Sequence, residues 1–159
     1  YNWKWLAGIL LAIVALIGLI IYFKKRKNKP APIAKPKPKI APHKIALKKL
    51  NHLEQQKLWQ NGKLKAYHSE LSEIIREYIE YRFEVNALEQ TTWETTESLK
   101  HINIDKELKD KLEQTLTISD MVKFAKESPI ASDNELCLKH CFSFVEETIP
   151  QQKNPSEDE

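Results

Sequence analysis

Two hydrophobic patterns divide this chain. The first is WLAGILLAIVALIGLIIYF, Trp5 to Phe23, which is 19 residues long and uncharged. The second begins at His43, where apolar residues return every three or four positions, the signature of helices that bury one face. No run alternates at period two, so strands are not expected. The spacing predicts five helices. The first covers about His43 to Gln60 with Ala46, Leu47, Leu50, Leu53 and Leu58 apolar, and Asn61-Gly62 ends it. The second, about Lys63 to Phe83, lines up Leu64, Tyr67, Leu71, Ile74, Ile75 and Tyr78. The third starts at Thr91 with the capping box T-x-x-E and carries Trp93 and Leu99. The fourth begins near Asp105 and carries Leu108, Leu112, Leu116, Met121, Val122 and Phe124. The fifth is expected to open with a box at Ser132 and Glu135, then carry Leu136, Cys137, Cys141, Phe144 and Val145 until Pro150 stops it.

The first pattern is a membrane-span pattern. Nineteen residues at about 1.5 Å each come close to the roughly 30 Å of a bilayer's hydrocarbon core. Trp3 and Trp5 at one end, and Tyr22 at the other, suit the headgroup level because their rings are part apolar and part polar. A core helix that is apolar on every face is rare in so small a domain. A signal peptide would have a shorter core and a small-residue cleavage site; here basic residues follow instead. Lys24, Lys25, Arg26, Lys27 and Lys29, against Lys4 alone on the other flank, place the C-terminal side in the cytoplasm. Because the chain opens on Tyr1, a further extracytoplasmic part is expected upstream.

Charge sharpens this division. The formal net charge of +3 conceals a strong asymmetry. Residues 24–49 hold 11 Lys/Arg and no acid, whereas residues 50–159 hold 13 basic and 22 acidic residues, a balance of −9. The basic stretch contains Pro30, Pro32, Pro36, Pro38 and Pro42. Proline disfavours helix and sheet, so a polyproline II spacer is expected, kept extended and close to anionic lipid by its lysines. No aromatic residue interrupts it after Phe23, so it lacks a base-stacking platform, and phosphate would be repelled by the acidic part. The division expected is a span with its basic flank over residues 1–27, a Pro/Lys linker over 28–42, a helical domain over 43–149 and a polar tail over 150–159. The fold class is all-α: one transmembrane helix, then a small bundle of about five helices.

Catalytic signals are sparse. Three glycines, two of them inside the apolar run, exclude a glycine-rich phosphate cradle. Cys137, His140 and Cys141 share one helix face and are the metal-ligand candidates, with His101 as a possible fourth ligand. The same positions read more simply as small hydrophobes beside Phe144 and Val145, and that reading is taken. Glu70, Glu73, Glu77, Glu80 and Glu84 line the second helix as a solvated face, with Arg76 and Glu80 as an i,i+4 surface pair. No catalytic residue, cofactor, small-molecule substrate or nucleic acid is expected. Three clusters are candidate partner contacts: Trp59 beside Leu58; Arg76, Tyr78 and Arg82; and Lys123, Phe124 and Lys126 with Asp120. Aromatic and arginine side chains dominate interface energetics, though Trp59 and Phe124 also suit a core.

LWQNGKLKAY resembles one hairpin of a tetratricopeptide repeat, but no second copy follows at that period. The longer pattern is more specific. A span and a Lys/Pro spacer precede HKIALKKLNHLEQQKLWQNGKLKAYHSELSEIIREYIEYRFEVNALEQTTWE, and SDMVKFAKESP and FVEET follow. This order resembles the cytoplasmic end of the BatD-like proteins of Bacteroidetes, over residues 1 to about 149. Those proteins belong to Bat aerotolerance operons with a MoxR-type AAA+ ATPase and von Willebrand A domain proteins. The resemblance implies a non-catalytic, single-pass component of an inner-membrane complex, with those proteins as its partners. One departure is Glu84, where the pattern would have glycine, so Asn86 is expected to take the left-handed position after the second helix. A single-pass signal transducer is the alternative reading.

Overall fold

Local chemistry sets the ends of each helix. The computed structural model describes residues 40–150; the expected span at Trp5–Phe23, most of the linker and the tail beyond Pro150 lie outside the described residues. Within them are α1 (Pro42–Gln56), α2 (Leu64–Phe83), α3 (Thr92–Leu99), α4 (Lys106–Phe124) and α5 (Ala131–Glu147), and no strand. The five-helix, all-α reading of this region holds. Among the described residues no helix is long and apolar enough to cross a membrane.

Pro42 opens α1, where its missing amide hydrogen removes no helical bond. The helix stops at Gln56, short of the expected Gln60, because Lys57 takes the left-handed conformation at φ 48°. Two turns then lead to Gly62, whose φ of +73° favours glycine, and Lys63 N–H closes the loop on Leu58 O at 2.8 Å. α2 ends on Glu84, itself left-handed at φ 58°. The expectation for Asn86 is therefore corrected: the glycine-like position is filled by Glu84. α3 has the full capping box, with Thr91 Oγ1 accepting from Glu94 N at 3.2 Å and Glu94 Oε2 from Thr91 N at 3.0 Å. α4 is capped by Asp105, which accepts from Glu107 N at 2.7 Å. The box expected at Ser132 does not form. Ile130 is the N-cap without a side-chain bond, and Ser132 already lies inside the first turn of α5.

α1, α2, α4 and α5 form an up-down bundle in which α1 touches α2 and α5, and α4 closes the ring between them. Pro42 and Ala46 face Tyr81 and Ile74, so α1 and α2 are antiparallel. Tyr67 reaches Asn134 O and Tyr78 reaches Val145 O, so the diagonal pair α2 and α5 run the same way. The ring is filled by Leu50, Leu53, Leu71, Ile75, Ile79, Leu112, Leu116 and Phe144, all under 2% exposed. Tyr78, Phe83 and Phe144 meet edge to face with centroids 6.2–6.3 Å apart, a favoured aromatic geometry. Short α3 stands outside this ring and packs along α4.

Candidate partner-binding face

Arg76 explains how α3 is held. It was expected at the surface beside Glu80; the structure corrects this, with Arg76 8% exposed and turned inward. Its Nη1 donates to Ala87 O at 3.0 Å, Gln90 O at 2.8 Å and Thr95 Oγ1 at 3.0 Å. Its Nη2 donates to Thr92 Oγ1 at 2.9 Å and lies 4.0 Å from Asp120 Oδ2. Thr92 in turn donates to Asp120 at 2.5 Å. One guanidinium thus ties α2, the 84–91 connection, α3 and α4 together. Burial pulls its pKa down, and Asp120 opposes that shift. Glu80, also buried, accepts from Leu88 N at 3.2 Å.

Tyr78 and Arg82 are likewise occupied within the chain. Tyr78 is buried, with its hydroxyl 2.8 Å from Thr148 Oγ1. Arg82 Nε donates to Thr148 O at 2.9 Å, at the C-terminus of α5, and its guanidinium lies 5.0 Å from the Phe83 ring centroid. Trp59 is partly buried against the core.

The end of α4 differs. Phe124 is 78% exposed, and Lys123 folds over its ring with Nζ 5.3 Å from the centroid. Lys123 Nζ also reaches Ser72 Oγ at 3.4 Å. Lys126 is exposed and left-handed at φ 57°, just past the helix. The buried face of α4 runs through Leu108, Leu112, Leu116, Ser119 and Val122. Met121 and Phe124 fall off that stripe, which explains why both reach solvent although they were grouped with it by hydrophobicity. Trp93, 70% exposed on α3, and Leu88 add further apolar area. Sequence reasoning left Leu88 out of every cluster; it is an apolar residue between turns, with no periodic signal of its own.

Between α2, the 88–91 segment and the end of α4 lies an open cleft of about 590 Å³. Ser72, Glu73 and Arg76 form one wall, Leu88, Glu89 and Gln90 the second, and Asp120, Lys123 and Phe124 the third. A second groove of about 360 Å³, lined by Trp93, Ile104 and Lys109, follows α3 on its other side.

The metal candidates sit elsewhere. Cys137 and Cys141 are buried free thiols, and burial pushes Cys137 up to about 11 and Cys141 well above the usual thiol range. His140 is half-buried, 3.4 Å from Thr115 Oγ1, with its pKa lowered by burial and then by Lys111. His101 is exposed on the connection before α4. Among the described residues no group of three His, Cys, Asp or Glu side chains converges as a metal site would require. His68 is also fully buried, with Nε2 2.8 Å from Asn134 Oδ1 and Nδ1 3.1 Å from Ser119 Oγ. It joins α2, α4 and α5, and burial lowers its pKa.

No family model matches the chain, and neither does a curated protein or a solved structure. The likeness to BatD-like proteins therefore rests on the sequence segments quoted above.

Proposed function

We propose that this chain is a non-catalytic docking module, anchored in the bacterial inner membrane by Trp5–Phe23, that binds a cytoplasmic protein through the face bearing Phe124. The observation that carries this reading is Phe124 itself, an aromatic ring 78% exposed, braced by Lys123, at the lip of an open cleft. Leu88 on the facing wall of that cleft and Met121 near the end of α4 are also exposed. A large apolar group left in solvent costs free energy unless a partner covers it. The buried reactive groups favour the same reading. A nucleophilic thiol needs its pKa lowered, whereas burial raises both cysteines.

By the resemblance, the partner is a MoxR-type AAA+ ATPase or a von Willebrand A domain protein. The test is capture from membranes with the tagged full chain. The expected result is enrichment of one of these proteins, and its loss with the double variant L88A/F124A. If the unaltered chain enriches neither, the reading fails.

A further inference from the structure

We infer that the cleft beside Phe124 recognises an extended segment of the partner protein in which a lysine or arginine stands next to an apolar side chain. This rests on the docking reading above and specifies the chemistry that is docked. Three of the five charged side chains that line the cleft are already engaged. Arg76 is fixed by Ala87, Gln90, Thr92 and Thr95, and Asp120 takes Thr92 and faces Arg76. Lys123 is turned to Ser72 and the Phe124 ring. Glu73 on α2 and Glu89 on the opposite wall line the same cleft and have no hydrogen-bond or ion-pair partner among the described residues.

Two carboxylates facing open volume, with the cleft's own cations Arg76 and Lys123 held by the protein itself, attract an incoming ammonium or guanidinium. An incoming carboxylate would be repelled. Leu88 and Phe124 supply the apolar lip. The methylene stem of a lysine or arginine and a neighbouring leucine-like side chain can lie against such a lip while the charged head stays in the polar part. The balance of −9 over residues 50–159 favours the approach of a basic segment from a distance. It opposes nucleic acid and anionic lipid at this face.

The test uses the isotope-labelled full chain in neutral detergent and three short synthetic peptides with one Gly/Ser frame. Their central pairs are Lys-Leu, Glu-Leu and Lys-Ser. The Lys-Leu peptide is expected to shift amide resonances of residues 69–76, 87–91 and 120–124. The other two should bind about tenfold more weakly, as should Lys-Leu to the variant E73Q/E89Q. Equal binding of Glu-Leu, or shifts confined to other residues, would overturn the proposal. The membrane capture separates this idea from the docking reading. If L88A/F124A loses the partner while E73Q/E89Q retains it, docking stands and cation recognition is wrong. If the unaltered chain captures no partner, the docking reading fails whatever the peptides do.

Discussion

Arg76 and His68 are the two side chains whose burial most constrains the rest. Replacing Arg76 by alanine leaves the carbonyls of Ala87 and Gln90 without their donor and Asp120 without its cation. Removing one partner of a buried charged network costs about 3 kcal/mol. R76A should lower the urea midpoint accordingly, and R76K should recover only part, because an ammonium cannot span acceptors on three elements. His68 yields a pH dependence. Its folded pKa lies below the ordinary 6.5, so the unfolded chain takes up the proton first. Its contribution to stability is complete above 6.5 and is lost as the pH falls from there through the folded pKa. His140 titrates in the same direction, so the comparison must retain it. Urea unfolding of the wild type and H68Q at pH 7.5, 6.5 and 5.5 should show the steeper decline in the wild type. Equal slopes would assign the titration elsewhere.

At the scale of the helices, conformation rather than contact decides several ends. Lys57 is exposed and left-handed, a conformation that costs an L-residue roughly 1 kcal/mol. K57G should therefore stabilise the chain by about 0.5–1 kcal/mol, seen as a higher melting temperature. Thr91 should behave in the opposite sense. T91A removes the hydroxyl half of the capping box, worth about 1 kcal/mol, and the loss should appear first as faster amide exchange across α3. How much was legible in the sequence follows the same division. The helical stripes, the cap at Thr91 and the start of α4 near Asp105 were readable, because each rests on a few adjacent residues. The end of α2 at Phe83 was readable too, but the stop at Gln56 and the left-handed Glu84 were not, because lysine and glutamate do not advertise a left-handed backbone. Nor was the inward turn of Arg76, since its acceptors come from a connection and a helix 11 to 19 residues away. The exposure of Phe124 was half legible: its aromatic character raised it as a contact, but only the position of Leu116, Ser119 and Val122 on the buried stripe separates contact from core.

For the molecule as a whole, a sharp contrast is expected between filling and facing residues. F144A removes a ring buried to 0% exposure and should cost about 3–5 kcal/mol, much of the stability of a domain this size. F124A removes an equally large ring from solvent and should move the unfolding midpoint hardly at all. A chain in which the two variants behave alike would not have this core. The two thiols have a practical consequence of another kind. Cys137 and Cys141 are the chain's only cysteines, and both are free and sealed inside the bundle. A thiol-reactive dye can find them only when the helices part, so its rate of colour development times the opening of the bundle. The unaltered sequence thus carries its own clock for the breathing of its core, and any captured partner that steadies the domain should slow it.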